Sequence, residues 1–365
     1  MPGNFWISLQ QKVNPRRGIL MIVDDTLCTQ MWVCNLHLFY NLSFGLIFVF
    51  SYFLPSRDMC HNHRVGTSEI QLEGKVVLIT GGNAGIGKET AIDLGRRGAR
   101  VYIACRNLDR GRQAVKEIIA ECNNNDIHVR QLNLASFLSI QSFAKDFLAE
   151  EEHLHILINN AGIMSCPFGK TEDGLEMQMG VNHFGHFLLT NLLLERLKQC
   201  QPSRVVTVSS VAHKQTEGIN FDDLNSEKSY HPDTVYAQSK LANILFTKEL
   251  HRRYSGSGVS AFALHPGLIM SALWVDRMNG YSWFFRGFVR VYSKFFFKSL
   301  KEGAQTTIYC AVQPGLEKES GNYFADSKLE TPKPAAFDME AAKKLWARSE
   351  EIVGIVTQCE KVEEI

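Results

Sequence analysis

From Leu72 onward the chain alternates short β-rich apolar runs with longer stretches whose apolar positions recur at helical spacing. The pattern predicts strands at 75–80, 100–104, 127–132, 155–159, 204–209 and 259–264. Between them it predicts helical segments at 86–97, 110–122, 139–151, 173–198 and 235–254. Near-continuous apolar strands separated by helices imply a parallel sheet covered on both faces. The expected fold is α/β, a single doubly wound domain over 72–325, followed by a C-terminal tail at 326–365 with a helical pattern near 338–354. Ahead of it the pattern is different. No Asp, Glu, Lys or Arg lies between Thr26 and Ser56, and the densest apolar run is 36–54. As a helix those residues would extend roughly 28 Å, close to the hydrocarbon thickness of a bilayer.

That run reads as an uncleaved membrane anchor at 31–55, preceded by an N-terminal extension at 1–30. A buried core helix is the bland alternative, but such a helix would precede a complete domain and have nothing to pack against. Pro55-Ser56-Arg57 supplies no small-x-small cleavage site, which argues against a signal peptide. Arg57 and Arg64 follow the run more closely than Arg16 and Arg17 precede it, which favours a cytosolic catalytic side. The endoplasmic reticulum or another intracellular membrane is the expected location. Met21 and Met31 are alternative starts to Met1.

Charge narrows the function. The 39 basic and 38 acidic side chains leave a net charge of +1, without the basic excess that a general nucleic-acid binder needs. Nine scattered cysteines with no Cys-x-x-Cys pair fit a reducing compartment. Cys60-His61-Asn62-His63 reads as solvated linker, and no metal site is expected.

Three local patterns carry chemistry. The first strand runs into Gly81-Gly82-Asn83-Ala84-Gly85-Ile86-Gly87 and then a helix. Glycines there let the backbone turn tightly and approach a pyrophosphate, whose charge sits at the helix N-terminus. At the end of the second strand stands Arg106, with no carboxylate before Asp109, an arrangement suited to the 2′-phosphate of NADP(H) rather than the 2′-hydroxyl of NAD(H). Tyr236 and Lys240 lie one helical turn apart on one face. The ammonium favours the phenolate, so the tyrosine can exchange a proton with a carbonyl or alcohol oxygen during hydride transfer. Upstream, an apolar strand ends in the hydroxyls of Ser209 and Ser210, at the sheet edge where ligands bind.

Together these motifs resemble the short-chain dehydrogenase/reductase family, a Rossmann fold, through nearly all of 72–325. The resemblance rests on Thr80-Gly81-x-x-x-Gly85-Ile86-Gly87, Asn159-Asn160-Ala161-Gly162, Val181-Asn182-His183, Ser209-Ser210, Tyr236-x-x-x-Lys240 and His265-Pro266-Gly267. The stretches CRNLDRG, LHILINNAGIM and GVNHFGHFLLTNLLLERLK look like its membrane-bound retinol dehydrogenase branch. The resemblance implies a tetrad of Asn182, Ser210, Tyr236 and Lys240. Tyr236 is the implied general acid, and Ser210 the implied hydrogen-bond partner of the substrate oxygen. Lys240 would hold the nicotinamide ribose, while Asn182 supports a water relay. Asn160, Ala161 and Gly162 would line the middle of the cofactor, with Pro266, Gly267 and Ser271 flanking the nicotinamide. Ser209 should face the sheet. Two residues depart from the family pattern: Asn133 stands where an Asp usually lies near the adenine, and Thr207 replaces an asparagine.

The segment 281–298 is rich in aromatics and carries Arg286, Arg290, Lys294 and Lys298 at every fourth position. It reads either as an apolar substrate lid that also meets anionic headgroups or as a lid packed only on the core. Both readings imply a lipophilic substrate. The expected function is NADP(H)-dependent interconversion of retinal and retinol or related lipophilic carbonyls and alcohols. Steroid, fatty aldehyde or quinone reduction is the rival, and a catalytically silent scaffold of the same fold is the rival of another class. His183 and His186 read as packing residues. Oligomeric state is not legible.

Overall fold

In the computed structural model, the described residues are 70–269 and 297–355. The strands are β1 (Val76–Thr80), β2 (Arg100–Cys105), β3 (Ile127–Gln131), β4 (Ile156–Asn159), β5 (Ser203–Val208), β6 (Val259–Leu264), β7 (Tyr323–Ala325) and β8 (Lys328–Leu329). They form one sheet in the order β3-β2-β1-β4-β5-β6-β7-β8, parallel except for the β7–β8 pair. The chain reverses direction across the sheet between β1 and β4. In a doubly wound sheet, that switch point opens a crevice at the carboxyl ends of the strands.

The helices are α1 (Gly85–Arg96), α2 (Leu108–Cys122), α3 (Phe137–Glu150), α4 (Gly185–Gln199), α5 (Pro232–Tyr254), α6 (Leu300–Val312) and α7 (Met339–Val353). Side chains alternate across each strand, so β1 sends Val76 and Leu78 into one apolar layer and Val77 and Ile79 into the other. The first layer gathers α3, α4, α5 and α7; the second gathers α1, α2 and α6. Local signals start the helices where they begin. Asn107 accepts from the Arg110 amide at the head of α2, Asp338 accepts from the Ala341 amide at α7, and Ser299 with Glu302 closes a reciprocal capping box on α6.

The six central strands fall where the apolar runs predict them. The segment from 326, expected as a tail, is built into the same domain. β8 extends the sheet, and α7 lays the buried Trp346 against Phe246 in a stacked pair 5.7 Å apart. α6, β7 and β8 were not expected as elements. The predicted anchor at 31–55 and most of the aromatic segment 281–298 lie outside the described residues, and no helix among the described residues is long and apolar enough to cross a membrane.

Candidate active site

The turn after β1 is shaped by what a side chain would hit. A Cβ on Gly87 would fall 2.5 Å from both Asn160 Nδ2 and the Gly81 carbonyl oxygen, and one on Gly82 would meet Ile103 at 2.5 Å. Gly81 and Gly85 hold φ of 67° and 56°, the left-handed region that favours glycine. Open space lies over Gly85. Ala84, the N-cap of α1, offers no side-chain acceptor, and the first turn carries no acid. The amides at the start of α1 are thus left for an anionic ligand. Asn83 and Ile86 are half-buried in the same turn. Arg106 is exposed just past β2. These features fit a dinucleotide carrying an extra phosphate.

Thr80 ties this turn to the one after β4. Its hydroxyl oxygen accepts from the Asn160 amide at 2.9 Å and the Ala161 amide at 3.0 Å, and Asn160 Nδ2 donates to the Thr80 carbonyl at 2.8 Å. Gly162 follows, where a Cβ would come within 3.2 Å of Asn182 Oδ1 and 3.3 Å of Lys240 Nζ. That position lets backbone, ammonium and amide crowd together.

Asn182 sits in a π-helical stretch, Gly180–Phe184, just ahead of α4. Such bulges inside helices often mark functional sites. Its side chain is committed to bracing. Oδ1 accepts from the Ile163 amide at 2.9 Å, while Nδ2 donates to the Ile163 carbonyl at 3.0 Å and to Ser239 Oγ at 2.9 Å. The side chain therefore clamps the turn after β4 against α5.

Lys240 and Tyr236 are both buried on α5, with the Lys240 ammonium 5.7 Å from the centre of the tyrosine ring. Lys240 Nζ donates to the Val208 carbonyl at 3.1 Å. An ammonium has three donors, so two remain for a ligand. Burial pulls the Lys240 pKa down to about 8, and the ammonium form still dominates at neutral pH. Ser209 turns inward as expected, with its hydroxyl donating to the Lys240 carbonyl at 2.7 Å. Ser210 is the half-exposed serine, its Oγ accepting from the Ala212 amide at 3.1 Å.

Behind Ser210, His213 Nδ1 donates to the Ser210 carbonyl at 2.7 Å, and its Nε2 accepts from the Lys333 amide at 3.2 Å. His265 is held in the opposite tautomer. Its Nδ1 accepts from the Gly267 amide at 3.0 Å, so Nε2 donates to Glu330 at 3.1 Å. Glu330 also accepts from Lys214 at 2.8 Å. Burial raises the Glu330 carboxyl, but the His265 and Lys214 contacts outweigh it and bring it to about 2. Glu330 thereby links the loop after Ser210 to the Pro266–Gly267 turn.

The described residues bring Gly81–Gly87, Asn160–Gly162, Asn182, Ser210, Tyr236, Lys240, Pro266 and Gly267 to the carboxyl edge of the sheet, with Arg106 and Asn133 at its β2–β3 side. Asn133 is partly spoken for: its Oδ1 accepts from the Ala135 amide at 3.1 Å and its Nδ2 donates to Glu172 at 3.1 Å. Thr207 is buried beside Asn159 on the neighbouring strand, and nothing among the described residues explains its replacement of asparagine. Ser271 and Cys60–His63 lie outside the described residues. His183 is a packing residue, its ring edge-on to Phe184 and Phe246 and its Nε2 against Ser349 Oγ at 2.9 Å. His186 does more than pack, and Thr80, His213, Ser239 and Glu330 were not foreseen as site residues. Thr80 stood in the glycine motif; the others have no local signal.

The short chain dehydrogenase family profile matches residues 75–281. Mouse retinol dehydrogenase 11 is 51% identical over 291 residues, spanning 80% of this chain and 90% of that protein. Human retinol dehydrogenase 12 is 49% identical over 318 residues, 86% of this chain and 98% of that protein. Among solved structures, an uncharacterized protein from Mycobacterium paratuberculosis superposes with a TM-score of 0.64 at 36% identity, covering 78% of this chain and 96% of its own. With the glycine turn, the Tyr236–Lys240 pair and the Ser210 hydroxyl at one sheet edge, the chain is an oxidoreductase and belongs to the short-chain dehydrogenase family.

Proposed function

We propose that this oxidoreductase interconverts retinal and retinol, or a closely related lipophilic aldehyde and its alcohol, with NADP(H). The observation that carries the chemistry is the buried Lys240 ammonium beside Tyr236, at the strand end that presents Ser210. The substrate class is supported by about half identity to retinol dehydrogenases over most of their length. Arg106 and the missing carboxylate at the end of β2 support NADP(H) over NAD(H).

The turn from Gly81 to Gly87 and the amides of α1 would hold the pyrophosphate, Arg106 the 2′-phosphate, and Lys240 the nicotinamide ribose, with Pro266 and Gly267 beside the ring. Asn133 would meet the adenine side, and Ser271 would complete the nicotinamide end. When bound, the cofactor supplies or takes the hydride. In reduction, Ser210 donates a hydrogen bond to the substrate carbonyl oxygen. Tyr236 gives that oxygen its proton, and the nearby ammonium stabilises the phenolate left behind. Asn182 keeps the turn that flanks Lys240 in register.

The charge-free run 36–54 supports anchoring to an intracellular membrane with the catalytic domain on the cytosolic side. The cationic, aromatic segment 281–298 supports a lid that takes a lipophilic substrate from the lipid surface. The test is a substrate panel of all-trans-retinal, steroid ketones, fatty aldehydes and quinones, each offered with NADPH and NADH. Consumption of NADPH with retinal is the expected result. Preference for another class reassigns the substrate, and silence across the panel supports a scaffold.

A further inference from the structure

The imidazole of His186 on α4 joins two parts of the site that the chain keeps far apart. Its Nδ1 lies 3.0 Å from the main-chain carbonyl oxygen of Asn182, and its Nε2 lies 2.9 Å from the Thr80 hydroxyl. All three residues are at most 1% exposed. The proton bookkeeping has one solution. A carbonyl oxygen only accepts, so Nδ1 carries the hydrogen. Burial holds the imidazole at about 4, well below its usual range, so the ring is neutral at working pH and Nε2 must accept. The lone pairs of the Thr80 hydroxyl are taken by the Asn160 and Ala161 amides, which leaves its hydrogen for Nε2. The alternative acceptor for that hydrogen, the Ile158 carbonyl, is farther away at 3.4 Å.

We infer that His186 is a positioning residue: its neutral Nδ1–H tautomer fixes the Asn182 carbonyl on one side and, through Thr80, the Asn160–Ala161 turn that would flank the cofactor on the other. The inference rests on the dehydrogenase reading of the site. The chain runs amide, hydroxyl, imidazole, carbonyl, each link with one permitted direction. It couples the cofactor-binding turn to the π-helical residue that clamps the turn after β4 against α5. Burial alone would require both nitrogens to be paired; what marks His186 is that its two partners belong to the cofactor-side turn and to the π-helical stretch.

Two substitutions split the ring's halves. In His186→Asn the side-chain amide can occupy the Nδ1 position and keep the bond to Asn182, but it is too short to reach Thr80. His186→Gln reaches Thr80 and gives up the Nδ1 donor. Binding of NADPH, read by protein fluorescence, should weaken about tenfold in His186→Asn and stay within about threefold in His186→Gln, one buried hydrogen bond being worth about a decade. With saturating NADPH and retinal, kcat should show the reverse: a loss of about tenfold or more in His186→Gln and little change in His186→Asn. Thr80→Val leaves the ring in place but also removes the acceptor of the Asn160 and Ala161 amides, so it should weaken NADPH binding at least as much as His186→Asn does, with no further loss in the double variant. Parallel changes in binding and kcat for the two His186 variants would overturn the inference, as would additivity of His186→Asn with Thr80→Val. A wild-type protein that binds NADPH but reduces no substrate would sink the functional reading instead. The binding split between Asn and Gln would still decide the role of His186.

Discussion

The Ser209 hydroxyl donates to the Lys240 carbonyl at 2.7 Å, joining the strand that presents Ser210 to the helix that carries Tyr236. The adjacent serines just past β5 face opposite ways, Ser209 buried and Ser210 half-exposed. Ser209→Ala should lower stability by about 1 kcal/mol, the worth of one buried hydrogen bond, and leave substantial turnover. Ser210→Ala loses a half-exposed cap on the Ala212 amide, so it should lower the melting temperature by less than Ser209→Ala does and cut kcat by about a hundredfold or more, as loss of an oxygen-binding donor does elsewhere. Thermal melts paired with saturating kinetics separate the two. Interchanged outcomes would reverse the assignment.

The pH profile of reduction follows from Lys240. Burial lowers its pKa to about 8, so its positive charge is present below that pH and lost above it. Losing the cation removes the stabilisation of the Tyr236 phenolate formed as the proton leaves. The reduction kcat should be level near neutrality and fall as pH rises through about 8. A rate that climbs across that interval would contradict this role.

Acid should weaken the fold early. Burial depresses His186 and His213 to about 4 and His183 to about 3. Their unfolded values lie near 6.5, so between these limits the unfolded chain takes up protons that the folded chain refuses. Stability then drops as pH falls below 6.5, by up to about 1.4 kcal/mol per pH unit for each ring. Urea midpoints at pH 7 and pH 5 test this, with a clearly lower midpoint expected at pH 5.

Cofactor choice is the duty assigned to Arg106. Arg106→Asp replaces a phosphate partner with a partner for the ribose 2′-hydroxyl. The ratio of kcat/KM for NADPH over NADH should fall by about a hundredfold, the loss of a charge-assisted contact combined with repulsion. An unchanged ratio would remove Arg106 from the phosphate site.

Glu330 connects the C-terminal segment to the loop after Ser210 and to the Pro266–Gly267 turn. Its carboxylate meets both His265 and Lys214, so Glu330→Gln should cost about 1–2 kcal/mol of stability and raise KM for NADPH as the Pro266–Gly267 turn loosens. Equilibrium unfolding and cofactor titration check the two parts. A variant indistinguishable from wild type in both would make Glu330 a surface ion pair only.

What could be read from the chain beforehand was local. β6 falls at Val259–Leu264 as expected because every position in it is buried, and the glycine turn declares itself because tight backbone approach excludes side chains. α6 was missed because Gly303 and Ala304 are small where a core helix would ordinarily show bulk; Gly303 packs on Ile269 with no room for a side chain. β7 has three residues, too few for a period to register. His186 read as one more apolar-face residue, since its partner Thr80 lies 106 positions away. Glu330, 65 positions from His265, was hidden for the same reason. Tyr236 and Lys240 are legible through their spacing, and Asn182 and Ser210 through the family resemblance, whereas the groups packed around them are assembled by folding alone.

The most direct measurement follows the hydride itself. The full chain, incubated with NADPH deuterated at the transferring position of its nicotinamide and with all-trans-retinal, should yield retinol carrying deuterium at the former aldehyde carbon. Tyr236→Phe should bind the same cofactor and yield none. Retinal recovered unreduced from the wild-type reaction, or labelled retinol formed equally well by Tyr236→Phe, would contradict the account.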